Sequence, residues 1–232
     1  MCRKASSATR RVAEPVSRSR NGSCASGAKA GPPGLGVVGA GTGGTSATIG
    51  RYIRYRGLHT RLCVAEPAGG AFAQGWRNGD RDARAQRPTV IEGIGRSRVE
   101  PGFLFEIIDD VVEVPDAASI AAAWQLERLF GRRYGGSSGT NLVACLQLAA
   151  RMHARRQRGS IVSLLCDRGE RYDATLFDPA WLDQRQIDLA PWREALQATI
   201  SDGRWREAAA RQPRGAAHHS AAVGSGSSNR VA

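Results

Sequence analysis

The sequence predicts an α/β fold: a mostly parallel sheet with helices on both faces. Three observations carry this. Gly36-Val37-Val38-Gly39-Ala40 and Thr60-Arg61-Leu62-Cys63-Val64-Ala65 are short apolar runs with the length and valine content of buried strands. Between them, Thr45 to Arg56 carries Ile49, Tyr52, Ile53 and Tyr55 and reads as a helix. Strand, helix and strand within about thirty residues make a βαβ unit, whose second strand runs parallel to the first.

The other elements follow along the chain. Residues 68–88, rich in Gly, Arg and Asp, read as a loop with a helical piece. Val90-Ile91-Glu92-Gly93-Ile94-Gly95 ends in a glycine turn, and Asp110-Val111-Val112-Glu113-Val114 is a strand. Pro115-Asp116 then opens a helix with Asp116 as expected N-cap and Ile120, Trp124, Leu126 and Leu129-Phe130 as its apolar face. Gly135-Gly136-Ser137-Ser138-Gly139-Thr140 reads as a second glycine loop. It leads into a helix with Leu142, Cys145, Leu146, Ala149 and Met152 at helical spacing. Ser160 to Cys166 is the last clear strand, closed by Asp167-Arg168-Gly169. No internal repeat is present.

Composition excludes several function classes. The 232 residues carry a net charge of +12, but its location matters more than its size. Residues 1–33 hold seven Lys/Arg against one acid, and residues 203–232 hold five Arg against one acid. The basic excess therefore lies in two Ala/Gly/Ser/Arg-rich ends almost without aromatics. Nucleic-acid sites set cations among stacking side chains on a folded face, so no nucleic-acid partner is expected. The expected organisation is a disordered or non-homologous leader at 1–33, a folded domain at 34–202 and a disordered basic tail at 203–232. The acid-poor leader has the composition of a transit peptide, and equally of a wrong-frame translation of a GC-rich gene. No run of eighteen apolar residues predicts a membrane span. Five scattered cysteines without a Cys-x-x-Cys pair point to a reducing, cytoplasmic setting with no metal.

Single residues carry little more. Cys63 and Cys145 are expected in the core, and Cys166 is expected to pack rather than act as a nucleophile. His153 and the arginines at 54, 56, 151, 155 and 156 are expected on solvated helix faces, and the adjacent His218-His219 are no metal site.

The chemistry concentrates at Gly39-Ala40-Gly41-Thr42-Gly43-Gly44-Thr45, between a strand and a helix, where backbone amides and two hydroxyls suit a phosphate. One reading takes Gly39, Gly41 and Gly44 as G-x-G-x-x-G, with Glu66, twenty-two residues past Gly44, as the acid that binds a ribose. That would be an NAD(P)-binding Rossmann-type oxidoreductase domain.

The other reading uses more of the chain. Residues 34–182 resemble the C-terminal part of the fold-type II pyridoxal-phosphate enzymes, the cysteine synthase and cystathionine β-synthase group with a tryptophan synthase β-like fold. Gly41-Thr42-Gly43-Gly44-Thr45 resembles that family's phosphate loop, and Val64-Ala65-Glu66-Pro67 its next strand end. Ile91-Glu92-Gly93-Ile94-Gly95 resembles its loop beside cofactor and substrate. Gly136-Ser137-Ser138-Gly139 resembles its Gly-Ser-x-Gly turn, and Cys166 to Tyr172, with Thr175, Asp178 and Trp181, the end of its catalytic domain. Arg168 departs from the pattern, standing where many members carry serine.

The resemblance is nearest to bacterial cysteine synthase-like and cysteine desulfhydrase-like members. It implies pyridoxal 5′-phosphate, a small amino-acid substrate, a lyase or transferase activity in cysteine metabolism, and a homodimer. It assigns the phosphate to Gly41, Thr42, Gly43, Gly44 and Thr45, the pyridine nitrogen to Ser137, and the substrate side to Glu92, Gly93 and Ile94. A hydroxyl partner for that nitrogen makes a moderate electron sink, suited to β-elimination and β-replacement.

Such enzymes attach the cofactor through a lysine amine. The only two lysines, Lys4 and Lys29, lie in the leader, away from any Ser-x-Lys-Asp-Arg context, and residues 30–232 contain none. The family's Thr-Ser-Gly-Asn-Thr-Gly-type loop is absent too. The chain is therefore expected to be a partial enzyme domain, inactive alone and without covalent attachment of the cofactor. A third expectation stays open: a non-catalytic binding or assembly module that pairs with an intact homologue through an exposed apolar face.

Overall fold

The structure is a computed structural model that describes residues 34–206 and 208. The expectations for 1–33 and for nearly all of 203–232 fall outside the described residues. Strands β1 (Leu35–Gly39), β2 (Arg61–Pro67), β3 (Asp110–Val114) and β4 (Ile161–Ser163) form one sheet in the order β3-β2-β1-β4. Every pairing is parallel, with Val37 opposite both Cys63 and Ser163.

Helices cover both faces, and the alternation of side chains along the strands feeds two cores. From β2, Leu62 and Val64 enter one core together with Val38 and Val111, while Cys63 and Ala65 enter the other with Val37 and Val112. The first core is closed by α1 (Gly44–Tyr55) and α2 (Ala71–Asn78), where Phe72 stacks on Phe103 at 4.1 Å. The second lies under α3 (Asp116–Phe130), α4 (Gly136–Ala154), α5 (Pro179–Gln184) and α6 (Ala190–Asp202). Burial pushes the Cys63 thiol up to about 12 and the Cys145 thiol up to about 11, as befits core side chains. Cys166, expected to pack, is instead exposed.

Three local expectations need correction. Asp116 does not cap α3: its carboxylate accepts from Thr89 Oγ1 at 2.8 Å and from the Val90 amide at 2.8 Å, fastening the 89–91 segment to the helix start. Gly136–Thr140 is not a loop but the first turns of α4. The strand expected over 160–166 pairs only at Ile161–Ser163, because Leu164 and Cys166 turn their backbones to α4. Near the last of the described residues, Gly203 closes α6 and Trp205 packs against the larger core. No helix among the described residues is long and apolar enough to cross a membrane.

Candidate functional site

The phosphate-type loop leaves β1 at its C-terminal end, the edge of a parallel sheet where α/β folds place ligands. Gly43, φ +87°, caps α1 in the left-handed region that glycine adopts without strain. A Cβ on Gly43 would stand 2.5 Å from the Gly102 carbonyl, and one on Gly102 would stand 2.5 Å from Thr42 O. On its other side the loop meets Gly93, whose carbonyl oxygen occupies the place of a Gly41 side chain. Glycines 41, 43, 93 and 102 thus let three backbones close on one another.

This closure presents the helix start to solvent. No side chain caps α1, and Ala47 is the first residue whose amide bonds back, to Gly43 O at 2.8 Å. The amides of Gly44, Thr45 and Ser46 have no acceptor among the described residues, and Thr42, Gly44 and Thr45 are exposed. Unpaired amides at a helix N-terminus attract an anion through direct hydrogen bonds and the helix dipole.

The predicted substrate-side loop lies against this one. The Gly95 amide donates to Ala40 O at 3.4 Å, and the Ile94 side chain fills the space beside Gly39. Gly93 is exposed, while Glu92 pairs with Arg171 at 3.1 Å. Arg171 also lies 3.9 Å from Asp167, which accepts from Tyr172 Oη at 2.7 Å. Burial first, and then donation to Asp167, raises the Tyr172 phenol above its usual range.

Ser137 sits in the first turn of α4. Its neighbours are fully engaged: the Cys166 amide donates to Ser138 Oγ at 2.8 Å, and Thr140 Oγ1 bonds Ser119 Oγ at 2.8 Å. The Ser137 hydroxyl has no partner among the described residues, although the residue is only 8 % exposed. One turn on, the buried Asn141 donates to Leu164 O at 3.1 Å, but its Oδ1 has no partner and points at Gly39, 3.5 Å from where a Cβ would stand. Gly136 abuts Ile91. The start of α4 therefore touches both loops, so the structure brings the three predicted segments together.

Sequence reasoning did not foresee the role of one group and missed another. Glu66 is 1 % exposed, and its carboxylate accepts from the Phe72 amide at 2.8 Å and the Ala73 amide at 2.6 Å, holding the start of α2. Desolvation by burial pushes it up to about 7 against these two hydrogen bonds. Buried there, it is not available to a ribose hydroxyl. The signal was the Gly-Gly-Ala that follows Glu66-Pro67 and opens a helix without a capping side chain. The other is Arg96, whose guanidinium Nη2 lies 3.8 Å from the Cβ position of Gly41.

A separate cavity of about 720 Å³, lined by Gln147, Arg151, His153 and Trp205, lies near the other end of α4 and touches none of these residues. Its lining has no counterpart to the unpaired amides and orphan oxygen at the strand ends, so the strand ends are the better site. No three His, Cys, Asp or Glu among the described residues form a metal-holding group.

Residues 27–167 match the family described as "Pyridoxal-phosphate dependent enzyme". The chain is 50 % identical over 169 residues to an L-cysteine desulfhydrase of Mycobacterium tuberculosis, a match covering 73 % of this chain and 46 % of that protein. It is 32 % identical over 163 residues to cysteine synthase 2 of Schizosaccharomyces pombe, covering 65 % of this chain and 40 % of that protein. Among solved structures, O-ureido-L-serine synthase superposes with a TM-score of 0.53 at 25 % identity, over 66 % of this chain and 47 % of that one. In each case the match spans less than half of the relative's length.

Proposed function

Because the chain belongs to the family of pyridoxal-phosphate dependent enzymes, we propose that its strand-end groove holds pyridoxal 5′-phosphate. Gly41 to Thr45 take the phosphate, Ser137 donates to the pyridine nitrogen, and Glu92, Gly93 and Ile94 line the substrate side. The single observation that carries this is the row of unpaired amides at Gly44, Thr45 and Ser46, opened by the glycine clasp. The unpartnered Ser137 hydroxyl and Asn141 Oδ1 support the fit, because they leave polar groups for a ring and its substituents. The bound group supplies an electron sink for carbanion chemistry. The chain's own residues bind its phosphate, orient its ring and shield the inner face with Ile94.

The substrate class is a small serine- or cysteine-like amino acid, and the parent reaction is β-elimination or β-replacement in the cytoplasm by a homodimer. The desulfhydrase and synthase relatives support this class. Residues 30–232 contain no lysine, so this segment holds the cofactor without a covalent bond and does not catalyse by itself. The Glu66 geometry argues against the dinucleotide reading, since the required acid is spent on α2. A non-catalytic assembly role is favoured by one observation: Val162, Leu164 and Leu165, on and just after edge strand β4, are 53 %, 46 % and 43 % exposed.

The test is a titration of the full chain with pyridoxal 5′-phosphate and, in parallel, with NAD, followed by fluorescence. Saturable pyridoxal-phosphate binding that is weakened by Thr45→Ala and Ser137→Ala, and that dialysis reverses, is the expected result. A response to NAD alone would overturn the proposal.

A further inference from the structure

We infer that Arg96 is a phosphate-binding residue, the side chain that lets this loop discriminate a phosphorylated pyridoxal from the free alcohol. The inference rests on the reading that the loop holds pyridoxal phosphate. It begins with the charge around the 92–100 segment. That segment has two acids, and both are taken: Glu92 by Arg171 at 3.1 Å and Glu100 by Arg98 at 3.6 Å. Arg96 has no ion pair and no side-chain hydrogen bond among the described residues, yet its Nη2 lies 3.8 Å from the Cβ position of Gly41. An uncompensated cation thus stands over the loop that presents the amides of Gly44, Thr45 and Ser46.

The backbone that carries Arg96 is fixed rather than free. Its carbonyl accepts from the Ala71 amide at 3.3 Å, and the preceding Gly95 donates to Ala40 O at 3.4 Å. Gly95, at φ +72°, is wedged against Pro67 and Thr89, so the chain before Arg96 cannot swing away without losing those contacts. Only the side chain has rotational freedom, and the guanidinium fork suits phosphate oxygens in a two-pronged contact.

A second observation points to a ligand in the same groove. Asn141 is 1 % exposed, and its Oδ1 faces Gly39 at the head of the loop without a partner. A buried acceptor left open beside a glycine cradle takes a hydrogen-bond donor, so it faces the ring substituents of the guest and not its phosphate. Helix amides on one side and Arg96 on the other would then share the phosphate's charge.

The test is equilibrium dialysis of the full chain with pyridoxal 5′-phosphate, pyridoxal and inorganic phosphate, using wild type, Arg96→Ala, Arg96→Lys and the control Arg98→Ala. Arg96→Ala is expected to weaken pyridoxal-phosphate and inorganic-phosphate binding by about tenfold and to leave pyridoxal unchanged. Arg96→Lys should restore part of the loss, and Arg98→Ala should match wild type. Arg96→Ala within twofold of wild type would overturn the inference while leaving the loop reading intact. An equal loss for pyridoxal would also overturn it, since that marks a structural role. Wild type that binds none of the three would overturn the loop reading, and the role of Arg96 with it.

Discussion

The two glycine-rich turns of this protein look alike on paper and use their glycines differently. At Gly39–Thr45 the glycines leave the helix start open, with no side-chain cap and three amides unpaired. At Gly135–Asn141 the Ser138 and Thr140 hydroxyls and the Asn141 side-chain amide nitrogen are bonded within the protein, while the Ser137 hydroxyl and Asn141 Oδ1 stay open. There Gly139 lets α3 approach so closely that a Cβ would stand 2.9 Å from the Ala123 amide nitrogen. At one turn the glycines leave helix amides open; at the other they bring helix against helix. Glycine content alone does not tell these uses apart, but what a Cβ would meet at Gly44 and at Gly139 does.

The contrast predicts a graded series of effects. The largest belongs to helix packing: Gly139→Val should cost more than about 3 kcal/mol or prevent folding, read as soluble yield and denaturant midpoint. Near-normal stability of that variant would break the comparison. By contrast, Gly44→Ala meets nothing nearer than Thr42 Oγ1 at 3.8 Å, and should stay within about 0.5 kcal/mol of wild type.

Next in size is Glu66, which holds the start of α2. Glu66→Ala strands two buried amides and should cost about 2–3 kcal/mol. Its pH dependence has a definite sign. The folded-state value of about 7 lies above the ordinary 4.5, so the fold holds this proton more tightly than the unfolded chain. Stability from this group is complete below about pH 4.5 and declines as pH rises through about 7. Glu66→Gln should remove that part of the slope, measured as unfolding midpoints across the pH range.

Smaller effects separate two adjacent serines. Ser138→Ala leaves the Cys166 amide without its acceptor and should cost about 1–2 kcal/mol. Ser137→Ala breaks no bond in the protein and should leave stability unchanged within about 0.5 kcal/mol, while altering the absorbance of bound pyridoxal phosphate. A reversed order would mean that the roles of the two hydroxyls have been exchanged.

Much of this was legible in the sequence, for physical reasons that vary by element. β1, β2 and β3 stood out because parallel strands are short runs rich in aliphatic residues, and α1 because its apolar residues fall at helical spacing. The phosphate-type loop and its partner at 92–94 were legible as motifs, since their backbone geometry demands glycine. The start of α4 was not, because Gly, Ser and Thr signal a turn locally, and only close packing on α3 makes them helical. Asp116 was misassigned because a cap and a cross-chain tether use the same residue at the same place. Glu66 holds amides that lie close by in the sequence, a use that its place at a strand end disguises as ribose binding, whereas Arg96 meets Gly41 only in three dimensions.

The central claim is that the unpaired amides of Gly44, Thr45 and Ser46 receive a phosphate. The direct measurement is an amide nitrogen–proton correlation spectrum of the full chain during titration with pyridoxal 5′-phosphate. The account predicts saturable shifts at Gly41 and Gly44 to Ser46, joined by Ser137 and the Asn141 side chain, with inorganic phosphate moving the first group alone. Shifts confined to the cavity around His153 and Trp205, with the loop amides unmoved, would contradict it.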